Sequence, residues 1–219
     1  MPNTPPIRVL LVDDHEMVRQ GLGIFLNSSR NIQVVGQAQN GLEAIARIQE
    51  NPPDVILMDL IMPELDGVEA TRRIKALYPD IEIIALTSYI DEAKVVDALA
   101  AGVAGYVMKD VKPAELVRAI SAAAQGEMYL SPVAARLLAK RVSPAKTPEP
   151  APEVLTEREL DVVRLVARGL SNQDIARDLN ISTKTVKTHI SAILQKLNLT
   201  SRTQAALYAL RRNLVPLND

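Results

Sequence analysis

The chain has 219 residues, 47% hydrophobic and 23% charged, a balance that sets aside disordered and fibrous classes and a length that suits two domains, each able to bury its own core. It contains no cysteine, which excludes a disulfide framework, a thiolate zinc site and a thiol nucleophile and fits a reducing compartment. The net charge of -1 conceals an asymmetry: residues 1–130 carry 11 Lys+Arg against 18 Asp+Glu, whereas 153–219 carry 10 against 7, so the acidic front and basic back are expected to meet different partners, nucleic acid being the candidate for the back.

In chain order, the opening Met1 to Pro6 has no basic stretch, and the apolar run Val9 to Val12 ends at Asp13 and Asp14. Neither a signal peptide nor a membrane span is expected, and the expected location is the cytoplasm. Five apolar, β-branched stretches follow one another at Ile7 to Val12, Val34 to Gly36, Val55 to Met58, Ile81 to Leu86 and Gly105 to Met108. Between and after them, Met17 to Leu26, Leu42 to Gln49, Val68 to Leu77, Glu92 to Ala101 and Pro113 to Ala124 space their apolar residues by three and four, as helices do. Continuously apolar strands alternating with helices predict an α/β domain with a doubly wound, five-stranded parallel sheet over residues 1–130, its ligand site at the carboxyl ends of the strands.

Beyond Leu130, Ser131 to Val142 has the pattern of one more helix. Ser143 to Pro152 then holds four prolines, which reads as an extended tether, so 131–152 is the expected linker. Residues 153–219 read as a second, smaller all-α domain of four helices. Thr156 with Glu159 forms a capping-box pattern opening a helix that Gly169 closes, and Ser171 with Asp174 opens the next, running to Leu179. Asn180-Ile181-Ser182 is a turn before a helix from Thr183 to Leu197, and Ser201 to Arg211 supplies the last.

Parallel strands bring Asp13, Asp14, Asp59, Thr87 and Lys109 to one rim of the sheet. Crowded carboxylates repel unless a cation shares the site, and a hard ion such as Mg2+ meets that need. The chemistry that suits the set is phosphoryl transfer onto the Asp59 carboxylate, with Lys109 and the metal neutralising charge and Thr87 bonding a phosphate oxygen. Taken singly, any of these Asp residues is more often a turn or helix cap, and His15 reads as a first-turn residue rather than a ligand; the conjunction carries the reading. A rival is an aspartyl phosphatase or dehalogenase, which needs a second acid two residues after its nucleophile. Position 61 is isoleucine.

Leu11-Val12-Asp13-Asp14, Met58-Asp59-Leu60-Ile61-Met62-Pro63, Asp66-Gly67, Thr87, Tyr106 and Lys109 resemble the signature of the CheY-like receiver domain. The resemblance implies that Asp59 is the phosphoacceptor, that Asp14 binds Mg2+ directly and Asp13 through water, and that the Ile61 backbone carbonyl is a further ligand. It also implies a Thr87–Tyr106 switch pair. Asp110 follows Lys109 where the common pattern has proline, which leaves the geometry of that peptide open.

In the second domain Ile175, Ala176 and Leu179, and then Val186, Ile190, Ile193, Leu194 and Leu197, are expected to face the core. Thr183, Lys184, Lys187, Thr188 and Ser191 then share the free face of the third helix, short and polar enough for a major groove. Leu155 to Leu160, Gly169 to Ala176 and Thr185 to Ser191 resemble the NarL/FixJ, LuxR-type helix-turn-helix family. That resemblance implies base contacts from Lys187, Thr188 and Ser191, with Thr183, Lys184, Thr185 and Lys196 nearer phosphates. Ser191 is short where relatives carry a longer basic residue, and His189 is expected at the helix edge. The small Ala205, Ala206 and Ala209 suggest a helix able to pair two DNA-binding domains. The expected protein is a phosphorylation-dependent transcription regulator rather than an enzyme. A sensor histidine kinase, double-stranded DNA and a second copy of itself are the expected partners; a ligand-sensing LuxR-type regulator is the alternative, disfavoured because its sensing domain needs no acidic pocket.

Overall fold

The computed structural model describes residues 5–88, 91–130 and 155–215. The first part runs β1 (Ile7–Val12), α1 (Glu16–Asn27), β2 (Ile32–Ala38), α2 (Gly41–Glu50), β3 (Val55–Asp59), α3 (Gly67–Leu77), β4 (Glu82–Thr87), α4 (Glu92–Ala101), β5 (Gly105–Met108), α5 (Pro113–Ala124) and β6 (Tyr129–Leu130). All pairings are parallel, in the order β2-β1-β3-β4-β5-β6. Successive strand residues point to opposite faces, so each central strand feeds two cores. Leu10, Val12, Ile56, Met58, Ile83 and Ala85 pack against α2, α3 and α4 residues such as Ile48, Ile74 and Leu99. Val9, Leu11, Val55, Leu57, Ile84 and Leu86 pack against Leu26 of α1 and Leu116, Ile120 and Ala123 of α5.

The expected five strands are all present, and β6 adds a two-residue edge strand on β5, with Tyr129 donating its amide to the Ala104 carbonyl (2.9 Å). So short a strand leaves no periodicity to read. The expected strand Val34 to Gly36 extends to Ile32–Ala38 at the sheet edge, its ends disguised by the polar Gln33 and Gln37. The expected helix at 131–142 and the proline tether lie outside the described residues.

The second part is α6 (Glu157–Ala167), α7 (Asn172–Asp178), α8 (Thr183–Lys196) and α9 (Arg202–Arg211). The capping box at α6 forms as read, Thr156 accepting from the Glu159 amide while the Glu159 carboxylate accepts from the Thr156 amide. Val162, Val163 and Val166 of α6, Ile175 of α7, and Val186, Ile193 and Leu194 of α8 are buried together. Leu179, Ile190 and Leu197 are only partly buried around them. Ala205, Ala206 and Ala209 are buried in this same cluster. They let α9 approach α6 closely within one domain, which corrects the expectation that they form a free pairing face. Among the described residues, no helix is long and apolar enough to cross a membrane.

Candidate phosphoryl-accepting pocket and nucleic-acid face

The strand ends meet as the topology requires. Asp13 follows β1 and is 2% exposed, while Asp59 ends β3 at 4%. Lys109, directly after β5, places Nζ 2.6 Å from Asp13 Oδ2 and 2.7 Å from Asp59 Oδ2. Burial alone would pull the Lys109 ammonium down, yet its bonds to Asp13 and Asp59 outweigh this and raise it above the ordinary lysine value. Lys109 is therefore a fixed positive charge at neutral pH. The amide of Lys109 donates to the Thr87 carbonyl (2.8 Å), tying the end of β5 to the end of β4. No cis peptide occurs among the described residues, so Lys109–Asp110 is trans.

Asp14, half-exposed at the mouth, completes a cluster in which ligating atoms of Asp13, Asp14, His15 and Asp59 all lie within 4.8 Å of one another. His15, expected in the first turn of the helix near the pocket, is instead the residue preceding α1, and it brings Nδ1 to 2.7 Å from Asp14 Oδ1 and 3.2 Å from Asp13 Oδ1. Two buried carboxylates sharing one lysine, with a third at the rim, leave excess negative charge, and the donor set fits a divalent cation. Oxygen donors suit Mg2+, so the carboxylates rather than the imidazole are the fitting ligands. Ile61 is half-exposed and its amide donates to Asp59 Oδ1 (3.1 Å).

Two supports steady the acidic turn and the nucleophile; Gly67 belongs to the signature read in the sequence, whereas Arg19 had no signal there. Arg19 reaches back from α1 to donate to the Asp13 carbonyl (2.6 Å), holding the acidic turn. Gly67 packs its α-carbon so closely that a Cβ there would stand 1.9 Å from the Asp59 carbonyl oxygen. The Asp66-Gly67 pair thus does more than turn the chain: Asp66 caps α3, accepting from the Glu69 amide (2.9 Å), while Gly67 lets that helix press against the nucleophile's own peptide. Thr87 is 3% and Tyr106 1% exposed, so the ring lies inside the domain. Burial pushes the Tyr106 phenol above its ordinary value.

On α8, Thr183, Lys184, Lys187, Thr188, Ser191 and Lys196 are exposed, whereas Thr185 and His189 are half-buried. Ser182 caps the helix, accepting from the Thr185 amide (3.0 Å), and its hydroxyl lies 2.8 Å from Thr185 Oγ1. The Thr188 hydroxyl donates to the Lys184 carbonyl (3.1 Å) and keeps only acceptor capacity outward. Lys196 is differently placed from the other lysines: its Nζ donates to the buried Glu159 carboxylate at 2.7 Å, joining α8 to the α6 cap. Lys187, Ile190, Ser191 and Leu194 face a cleft of about 560 Å3 between the two parts, with Asp54, Asp80 and Glu82 on its other side.

Comparison with known proteins accords with this division. Residues 9–121 match the family described as response regulator receiver domain, and residues 153–209 that described as bacterial regulatory proteins, luxR family. The chain is 45% identical to response regulator protein VraR of Staphylococcus aureus over 95% of this chain and 99% of that protein. Among solved structures, it resembles the response regulator ChrA of a heme-sensing two-component system (36% identity, 97% of this chain, 100% of that one, TM-score 0.53). It also resembles RcsB of Salmonella typhimurium (27% identity, 94% and 98% covered, TM-score 0.57).

Proposed function

The chain belongs to the two-component response regulators that join a receiver domain to a LuxR-type helix-turn-helix domain, a family of DNA-binding transcription regulators, and from that premise we propose that Asp59 is its phosphoacceptor and α8 its DNA-reading helix. The observation that carries the first assignment is the pair of buried carboxylates, Asp13 and Asp59, bridged by Lys109 Nζ at 2.6 and 2.7 Å. An oxygen of Asp59 forms the new O–P bond as the P–N bond of a kinase phosphohistidine breaks, the electron pair leaving with the imidazole. Lys109 neutralises charge on the transferring group, and Thr87 bonds a phosphoryl oxygen once it is attached. Asp14, Asp13, Asp59 and the Ile61 carbonyl would hold Mg2+, which when bound supplies further neutralisation of the phosphoryl oxygens. Ile61, apolar and half-exposed where a hydrolase needs an acid, supports a site that keeps its phosphoryl group rather than turning over substrate.

For the second domain, the exposed row of Lys184, Lys187, Thr188 and Ser191 supports groove contact. Lys187, Thr188 and Ser191 lie at base edges, and Thr183, Lys184 and Thr185 nearer phosphates. Lys196 leaves the contact set as a primary member, since it is engaged by Glu159. The domains are a receiver over 1–130, a linker over 131–152 and the DNA-binding unit over 153–219. Because the middle of α8 faces the cleft, phosphorylation acts by parting the two units, and the phosphorylated protein binds DNA as a dimer, as a solved assembly of two RcsB dimers on two parallel DNAs suggests by analogy. Incubation with acetyl phosphate and Mg2+ tests the reading: one acid-stable, base-labile adduct per chain is expected, absent in Asp59→Asn. Labelling retained in Asp59→Asn, or continuous release of phosphate, refutes it.

A further inference from the structure

The outward side chains of α8 stand on a rigid mount. Ser182 caps its first turn, accepting from the Thr185 amide (3.0 Å), and Arg158 of α6 donates to the Leu179 carbonyl just before the turn that leads into it. Asn180 makes that turn in the left-handed region at φ 52°. Farther along, Lys196 is tied to Glu159, and the buried Val186, Ile193 and Leu194 fix the rotation of the helix about its axis. Lys184, Lys187, Thr188 and Ser191 then follow at spacings of three and four, in one exposed stripe. A stripe held at both ends presents each side chain in a set position, so what each can donate or accept decides what it can read.

The members of the stripe differ in that respect. A lysine ammonium only donates, and in the major groove it suits the O6 and N7 acceptors of guanine. Thr188 is of the opposite kind. Its hydroxyl proton goes to the Lys184 carbonyl at 3.1 Å, a bond that also settles the rotamer, because it requires Oγ1 to point toward the preceding turn. The lone pairs of that oxygen and the γ-methyl remain for a partner. A guanine edge offers two acceptors, which repel an oxygen whose proton is already committed. Cytosine offers an amine but no methyl. An A·T pair offers both complements: the adenine N6 amine donates, and thymine carries a C5-methyl that packs against a threonine methyl.

We propose that Thr188 is a specificity-determining residue that reads an A·T base pair, its hydroxyl oxygen accepting from the adenine amine and its methyl meeting the thymine methyl. This rests on the reading of α8 as the DNA-reading helix, and adds which base pair that helix requires at one position of its site. Two substitutions separate the features. Thr188→Val keeps a methyl and removes the oxygen, whereas Thr188→Ser keeps the oxygen and removes the methyl.

The test selects duplexes from a random pool with the full-length protein, treated and untreated with acetyl phosphate and Mg2+, and then measures wild type and both variants on the selected duplex. Thr188 is exposed, and thermal unfolding checks that each variant is folded. Deoxyuridine in place of thymidine removes only the methyl, and deoxynebularine in place of deoxyadenosine removes only the amine. Any effect of an analogue on the duplex itself is common to all three proteins. At one position wild type should lose about three- to tenfold for each replacement, the size of a contact of ordinary net strength. Thr188→Val should respond there to loss of the methyl alone, and Thr188→Ser to loss of the amine alone. If both variants respond to both replacements as wild type does, or if the position whose preference changes in them is a G·C pair, the proposal is refuted. A guanine position relaxed by Lys187→Ala would then show that the reading of α8 stands. If selection recovers no preferred sequence, or if neither Lys187→Ala nor the Thr188 variants alter it, the reading of α8 itself fails, and the proposal fails with it.

Discussion

The resemblance to LuxR-type domains implies a place near phosphates for Lys196, yet it bonds Glu159 at 2.7 Å, and replacing it by alanine distinguishes the two roles. The Glu159 side chain is 7% exposed and the Lys196 side chain 31%. The pair is thus intermediate between an exposed bridge, worth about 0.2–1 kcal/mol, and a buried one whose breaking costs about 3–5 kcal/mol. Glu159 keeps the Thr156 amide (2.8 Å) and hydroxyl (3.1 Å) when the lysine is lost, which favours the lower half of that span. Lys196→Ala should therefore destabilise the helix-turn-helix domain by about 1–2 kcal/mol, or about 5–15 °C in Tm for a domain this small. Burial alone would raise the Glu159 carboxyl, but hydrogen bonds from Lys196 and Thr156 outweigh it and hold it below the ordinary range. A depressed folded value gives stability that is full above the unfolded value of about 4.3 and is lost as pH falls through the folded one. The gap between wild type and variant should accordingly close in acid. Thermal unfolding of the full chain at several pH values, with hydrogen exchange in α6 and α8 reporting that domain alone, measures both effects. Stability unchanged at neutral pH, together with a salt slope of DNA binding reduced by about one unit, would mean that the lysine serves DNA and the argument from the ion pair is wrong.

Gly67→Ala forces a Cβ against the Asp59 carbonyl, 1.9 Å away with the backbone as it stands; a loss of about 3 kcal/mol or more and a slowed acetyl-phosphate reaction are expected in urea unfolding and labelling assays. Asp14→Ala should weaken Mg2+ binding at least about tenfold by calorimetry, and equal affinity would remove Asp14 from the ligand set. Lys187→Ala should cost about 1–3 kcal/mol on a duplex selected from a random pool and much less on unselected DNA; equal losses on both would put its side chain on the phosphate backbone.

Much of the molecule was legible because its information is local. The apolar runs ending in Asp13, Asp59 and Thr87, the helical spacing between them, and the caps at Thr156 and Ser171 each act within a few residues, and parallel pairing then leaves one rim for the strand ends. Contacts between residues far apart in sequence were not legible. Nothing in the sequence around Ala205, Ala206 and Ala209 tells whether small residues face a second molecule or their own α6, and packing chose α6. Lys196 carries the same charge as Lys184 and Lys187, but only the fold brings a buried carboxylate within its reach. Periodicity and capping thus determined the elements and their order, because both are set by backbone geometry over one or two turns. The partners of individual side chains were decided by tertiary structure, because burial, close approach and shared charge exist only once distant segments have packed.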